Sequence, residues 1–429
     1  MPREPWRDDP VYLSLWRMAR QEPDERAPRL VLADWLEEHG HSSEAWRERL
    51  HGLTGRQPTL DADTGTLRTG QVPMGQGAWR QLLVAPPPED LLCVFARDVR
   101  AYRYLEQYRG RCGWELGHSD WSSKTERAHL LAVPRLEMLA CTALGPGGWD
   151  WIMNQLPGLT HFEAVGPQID AARFAGLKRL PRLRNLLLDG HAARDLTALG
   201  RMPGLRHLSL GPFSFEASQL AAYAPELESL PADLVSLEGS VPWPHLRSLQ
   251  MLPRGGDESF LKAKEVKTLG RYPLLERLNL RLERTTAAAV EALAGLPRLR
   301  ELALRVQKGP LSSLKALAGA PALESLTLEG PLREDHLREI GTFTGLRVLS
   351  LNKTPIGGLD LDAVAEMSQL EELRLQGDLG TVHALSALAA LPRLRKLDVQ
   401  SLTLSAETAR ALKAACPPWV ECLIPANDS

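Results

Sequence analysis

The chain is poor in the features that mark a disulfide-stapled, membrane-spanning or polyanion-binding protein. Five cysteines occur in 429 residues, at Cys93, Cys112, Cys141, Cys416 and Cys422. Their number is odd, their spacing irregular, and no C-x-x-C is present, which excludes a disulfide framework or a zinc knuckle and fits a reducing compartment. No apolar run approaches the ~18 residues of a membrane span. The opening MPREPWRDDP has no apolar stretch of the kind that directs secretion. The formal net charge is only -2, so the excess of positive charge expected of a nucleic-acid binder is missing. Aromatic residues make up 6%. Motifs of catalysis are also missing: no P-loop, H-E-x-x-H, G-x-S-x-G or G-x-G-x-x-G stands at a strand–helix junction. With 44% hydrophobic and 24% charged residues, the composition is that of a folded protein and not of a disordered one. The expectation is a cytoplasmic protein that needs no cofactor or metal and binds neither membrane nor nucleic acid.

What the chain has in abundance is leucine, 79 residues of it. An excess of one apolar residue points to a structural slot filled repeatedly. The slot is the phrase L-P-x-L-x-x-L-x-L. Clear copies are LPRLRNLLL at Leu180, MPGLRHLSL at Met202, YPLLERLNL at Tyr272, LPRLRELAL at Leu296, APALESLTL at Ala320, FTGLRVLSL at Phe343, MSQLEELRL at Met367 and LPRLRKLDV at Leu391. Weaker copies start at Val133, Leu156, Ala224 and Trp243. Their first leucines, from Leu136 to Leu394, recur nearly everywhere at 22–24 residues. In x-L-x-L the leucines point to one side of a short strand and the intervening residues to the other. Return segments such as AAAVEALAGL place Ala289, Leu293 and Leu296 at helical spacing, as LSSLKALAGA does Leu314, Leu317 and Ala318.

This pattern resembles the leucine-rich-repeat family over residues 131–429. The resemblance implies an α/β fold, a leucine-rich-repeat solenoid with parallel strands on a concave face and short helices on a convex face. One departure affects the turns. Where many such repeats carry asparagine after the strand, this chain has His191, Phe213, Glu283, Gln307, Pro331, Thr354, Asp378 and Leu402. Two repeats break the rhythm. Leu227 to Leu246 is short and contains the proline-rich PADLVSLEGSVPWP, and Leu246 to Leu275 carries the insertion MLPRGGDESFLKAKEVK.

Residues 1–51 read differently, as a small all-α module of three helices. Leu32, Trp35 and Leu36 share one helical face, Pro28 sits in a first turn, Gly40 serves as a C-cap and Ser42 as an N-cap. Asp34, Glu37 and Glu38 read as a local hydrogen-bonding group and two solvated glutamates, and His39 and His41 as surface residues. The string PRLVLADWLEEHG followed by AWRERL resembles the bacterial repeat-companion domain, a planctomycete and myxobacterial module commonly placed ahead of leucine-rich repeats. The matching residues are Pro28, Arg29, Leu30, Ala33, Asp34, Trp35, Leu36, Glu37, Glu38 and Gly40. That resemblance implies a bacterial protein and a modular architecture, and no reaction. Residues 52–90 read as a linker. Residues 91–130 read as a cap for the first repeat, opening with a helix over LLCVFARDVRAYRYLEQYRG and using Tyr102, Tyr104, Tyr108, Trp114 and Trp121 as cover.

For function, the expectation is a non-enzymatic scaffold that recognises a protein partner. Arg277, Asn279, Arg281 and Arg305 fall in neighbouring outward columns of the strands, beside an insertion that supplies Arg254 and Asp257. Arginine binds carboxylates through paired hydrogen bonds and is enriched at interface hot spots, so the group suits an acidic segment of a partner. Balance by Glu276, Glu283 and Glu301 is the competing reading. Two further readings are a regulatory or immunity-type sensor whose N-terminal module recruits a separate effector, and an enzyme in residues 90–130 built on Cys93 or Cys112 with His118 or His129. Cys416 and Cys422 read as buried or incidental residues of a terminal cap.

Overall fold

A computed structural model of the chain describes residues 5–21, 25–55, 57–61, 66–68, 88–89, 91–96, 104, 107–116, 124–142, 144–166, 170–189, 200–210, 214–231, 233–236, 243–250, 262–309, 311–352, 361–376, 388, 391–402, 404–417 and 419–424. The fold is α/β, a leucine-rich-repeat solenoid of parallel strands preceded by a small helical module. Two compact units divide it. The first comprises residues 1–213 with 219–229, and the second residues 214–218 with 230–429.

The first unit opens with helices α1 (Pro10–Gln21), α2 (Arg26–Glu38) and α3 (Ser42–Thr54). Tyr12, Ala19, Leu32, Leu36 and Ala45 form their core, with Trp6, Trp16 and Trp35 packed against it. Gly40 lies in the left-handed region at φ 82° just past α2, as a C-terminal stop requires. His41, and not Ser42, holds the N-cap position of α3, and Ser42 is its first helical residue. The conspicuous residues of the PRLVLADWLEEHG string turn out to clamp α2 to α3. Arg29 donates to Glu48 at 3.1 Å with both side chains almost wholly buried. Arg49 reaches back to Asp34 at 2.9 Å and also to Glu37. Asp34 and Glu37 are therefore interhelical partners, a correction to the local and solvated roles expected of them. His39 stacks on Trp35 and His41 on Trp6.

The ladder of this unit starts with the antiparallel pair β1 (Thr59–Asp61) and β2 (Thr66–Arg68). Parallel strands follow in sequence order: β3 (Leu92–Ala96), β4 (Cys112–Leu116), β5 (Leu136–Thr142), β6 (His161–Val165), β7 (Asn185–Asp189) and β8 (His207–Leu210). Each is hydrogen-bonded to its neighbour, from β2 onward. The strand β3 corrects the helix expected from Leu91. Leu91 to Phe95 are all buried, and a short segment buried on both faces shows no period that separates strand from helix. Tyr108 and Trp114 are buried, as a covering role requires; Tyr102 and Trp121 lie outside the described residues. The outward side of the first strands is apolar too. Leu92, Val94 and Met138 cluster there. Gly113 lies between Val94 and Met138 in register, and a Cβ on it would come within 2.8 Å of Met138 Cβ. Glycine is what lets the side chains of the flanking strands close over that position.

The short strands β9 (Ser214–Glu216) and β11 (Asp233–Ser236) pair in parallel, so the proline-rich irregular repeat contributes a strand of its own. Between them lies β10 (Ser229–Pro231), whose Ser229 stands opposite His207. The second unit then runs through β12 (Ser248–Gln250), β13 (Arg277–Leu282), β14 (Glu301–Val306), β15 (Ser325–Glu329), β16 (Val348–Asn352), β17 (Glu372–Leu375), β18 (Lys396–Asp398) and β19 (Glu421–Leu423), all parallel. Two rows of leucine are in register across it. Leu278, Leu302, Leu326, Leu349, Leu373 and Leu397 form one, and Leu280, Leu304, Leu328, Leu351 and Leu375 the other. None is more than 2% exposed, and burying each contributes about 1.5–3 kcal/mol.

The return segments are short helices. Ala287–Ala294 is α-helical, with Thr286 Oγ1 accepting from the Ala289 amide and Ala289, Val290 and Leu293 facing the core. Lys315–Gly319 is a 3-10 turn, entered where Glu339 of the following repeat accepts from the Leu314 amide at 2.6 Å. Backbone bonds stand in for the missing asparagine: the amides of Gln307, Lys308 and Gln376 donate to Leu282, Glu283 and Leu351 of the preceding repeat.

Removing one member of a buried ion pair leaves an uncompensated charge, at a cost of about 3–5 kcal/mol. Glu48→Gln in the full chain is therefore expected to speed amide hydrogen exchange across residues 26–54 while β13–β18 stay protected. The double replacement Arg29→Met, Glu48→Leu removes both charges and is expected to restore most of that protection.

Candidate recognition surface

Six residues were expected to form the site. The structure brings four of them together in the second unit. Arg277, Asn279 and Arg281 alternate along β13 with the inward leucines, and all three are partly exposed. Arg305 lies on β14 directly opposite Arg281. Arg254 and Asp257 fall within 251–261, outside the described residues.

The outward surface of β13–β15 is thus a grid fixed by backbone register. Arg277, Glu301 and Ser325 form one row, Asn279, Ala303 and Thr327 the next, and Arg281, Arg305 and Glu329 the third. Ala303 and Thr327 are small, so the middle row is a shallow trough flanked by guanidiniums. Asn279 faces that trough, and its buried Oδ1 has no hydrogen-bond partner among the described residues.

The balance of charge differs from the one the sequence offered. Glu276 is engaged by Arg247 at 2.6 Å, and Glu283 by Lys308 at 3.0 Å. Only Glu301 remains beside the arginines. Burial raises its pKa against the lowering influence of Arg277. Arg305 meets a carboxylate that sequence reasoning left out, Glu329, at 3.2 Å. That pair was legible once register was known, because Glu329 occupies the next repeat's copy of the Arg305 position.

A second polar group, on the strands of the first unit, was missed. Arg68 of β2 donates to Glu115 of β4 at 2.6 Å and to Glu163 of β6. In the register row of Arg68 itself, continued through Val94, Gly113 and Met138, stand His161, Asn185, His207 and Ser229. His161 is 6% exposed. Burial, with the nearby charges of Arg111, His207, Arg68 and Arg184, lowers its pKa to about 3. Burial also lowers His207 and raises Glu163. The signal was present in the weak repeat LPGLTHFEA, where His161 and Glu163 fill the outward slots, but no period links Arg68 to either glutamate.

The region read as a possible enzyme site has a different character. Cys93 and Cys112 are buried, and burial pushes the Cys93 thiol up to about 12 and Cys112 higher still. Both settings are the opposite of the exposed, electropositive ones that activate a cysteine by lowering its pKa. His118 lies outside the described residues. Among the described residues no group of three or more His, Cys, Asp or Glu side chains is placed to hold a metal ion, and no helix is long and apolar enough to cross a membrane.

No family model matches the sequence, and no curated protein matches it. Among solved structures, an internalin from Listeria monocytogenes is similar at 16% identity, covering 88% of this chain and 98% of its own, with a TM-score of 0.42. A leucine-rich-repeat protein from Leptospira interrogans is similar at 17% identity over 80% of this chain and 97% of its own, with a TM-score of 0.37. The structural neighbours are leucine-rich-repeat proteins. The fold itself is read from the in-register leucine rows described above.

The lowered pKa of His161 sets a direction for stability against pH. Unfolded histidine takes up a proton near pH 6.5, whereas folded His161 stays neutral until about pH 3. Its contribution is complete above pH 6.5 and is lost progressively as pH falls toward 3. Urea titrations at pH 7.5 and pH 5 are expected to show a larger acid loss for the wild type than for His161→Gln. Equal losses in the two proteins contradict that assignment.

Proposed function

We propose that the chain is a non-enzymatic scaffold whose outward strand surface recognises a protein partner bearing an acidic segment. The observation that carries this reading is the alignment of Arg277, Arg281 and Arg305 on paired strands around the Asn279 amide oxygen, which has no partner among the described residues. The backbone of hydrogen-bonded strands is already ordered, so binding has only side-chain rotamers to fix and no loop. Engagement of Glu276 and Glu283 by Arg247 and Lys308 supports the reading, because those carboxylates are already satisfied elsewhere. Arg254 and Asp257, from the insertion that precedes β13 in sequence, belong to the same proposed site. In this division residues 1–51 are a repeat-companion module, 52–90 a connecting segment that already carries β1 and β2 of the ladder, 91–130 a cap region and 131–429 the recognition array of a cytoplasmic bacterial protein.

A second reading is a sensor whose N-terminal module recruits a separate effector. It is favoured by large apolar side chains on the module's surface: Val11 and Met18 on α1 and Val31 on α2 are each about half exposed.

Affinity purification of the full chain from its native host, with mass spectrometry, identifies the partner. Arg277→Glu, Arg281→Glu is expected to weaken the affinity of that partner at least about tenfold, as loss of charge pairs across an interface does. Its retention by the double variant with unchanged affinity overturns the proposed surface. Loss only on changing Val11 and Val31 selects the sensor reading.

A further inference from the structure

The first three cysteines belong to the interior. Cys93, Cys112 and Cys141 sit on β3, β4 and β5, each no more than 2% exposed. The last two are placed differently. Cys416 caps the final helix, Ala406–Ala415, with its amide donating to Leu412 and its backbone already extended. Pro417 follows, and a turn closed by the Val420 amide on the Pro417 carbonyl delivers the chain into β19. There Cys422 stands opposite Leu397 of β18. Both cysteines are partly exposed, and their sulfur atoms are only 2.6 Å apart, closer than non-bonded sulfurs normally approach.

We propose that Cys416 and Cys422 are a modification site, at which two thiols close reversibly into an intramolecular disulfide that ties the final helix to the final strand. The oxidant is a low-molecular-weight disulfide of the glutathione type. In one order of attack, the Cys416 thiolate attacks one sulfur of that disulfide, forms a mixed disulfide and expels the other half as a thiolate. Cys422 gives up its proton to solvent and attacks Sγ of Cys416. The Cys416–Cys422 bond forms, and the second half leaves as a thiolate. Two protein thiols are oxidised by two electrons, and one external disulfide is reduced to two thiols.

The geometry supports this exchange. The two sulfurs adjoin each other, so whichever thiolate attacks first, the other is in place to resolve the mixed disulfide. The buried cysteines do not compete, because burial raises their thiols and removes them from contact with the oxidant. Closure has a mechanical consequence. It adds to what already holds the strand: β19 is hydrogen-bonded to β18, and a covalent tie to the helix gives it a second restraint.

The test uses the full chain under native conditions, treated with either glutathione disulfide or dithiothreitol. Free thiols are alkylated and the tryptic fragment beginning at Ala414, which carries both cysteines, is weighed. The oxidised sample is expected to yield that fragment unalkylated and lighter by two hydrogen atoms. Cys93, Cys112 and Cys141 are expected to be alkylated in both samples once the protein is unfolded. Amide exchange in β19 is expected to slow roughly tenfold or more on oxidation, and to return to its starting rate with dithiothreitol. Cys416→Ser, which preserves size at the helix end, is expected to abolish the change. Full alkylation of both cysteines after oxidant overturns the proposal, and so does a stable glutathione adduct on either one without the internal bond.

Discussion

A strand that carries two inward leucines has nothing of its own to bury them against. Every repeat here depends on that constraint. Leu326 and Leu328 on β15 are sealed by Leu302 and Leu304 on one side and by Leu349 and Leu351 on the other. The return helices close the remaining side with residues such as Leu293, Leu317 and Ile340. Burial per repeat is modest, and stability accumulates by stacking. The same constraint frees the outward positions. Because the outward residues take no part in the leucine core, they can vary without cost to it.

Hydrogen bonding at the strand entrance reinforces that register. Before each of β13–β18, one carbonyl accepts two successive amides of the next repeat. Arg247 O receives Glu276 and Arg277, Glu276 O receives Arg300 and Glu301, and the pattern continues through Arg300, Glu324, Arg347 and Glu371. The residues that own these carbonyls alternate in charge: Arg247, Glu276, Arg300, Glu324, Arg347, Glu371, Arg395. Neighbours with opposite sign pair where the geometry allows, Arg247 with Glu276 and Arg347 with Glu371 at 2.6 Å. Slipping one repeat past its neighbour would juxtapose like charges, so the row favours the observed stacking order over alternatives. The more exposed Arg247–Glu276 pair adds little stability singly, whereas Arg347–Glu371 is largely buried.

Much of this was legible in the sequence because it is periodic. The leucine slots, the return helix at Ala287–Ala294 and the outward position of Arg277, Asn279, Arg281 and Arg305 all follow from spacing alone. What escaped was aperiodic. Leu91–Phe95 looks helical because a strand buried on both faces has no alternation. The clamps from Arg29 to Glu48 and from Arg49 to Asp34 and Glu37 join separate helices, and nothing in the order of residues announces which charges will meet. Arg68 finds Glu115 and Glu163 across 47 and 95 residues of chain. Of the recognition surface, the arginines were visible and their partners were not: Glu329 displaced Glu283 and Glu276 as the nearest counter-charge because register, not sequence proximity, decides who faces Arg305.

The division of labour is plain in chemical terms. Inward leucines hold the array together, the entrance row aligns it, and the outward grid on β13–β15 offers guanidinium groups on a rigid backing. The most direct test of the account is native-state hydrogen exchange on Leu326→Ala. Neighbour-dependent burial predicts faster exchange not only in Ser325–Glu329 but also in β14 and β16, fading with distance along the ladder. Acceleration confined to β15, with both neighbours unchanged, would contradict the claim that each repeat is stable only through the next.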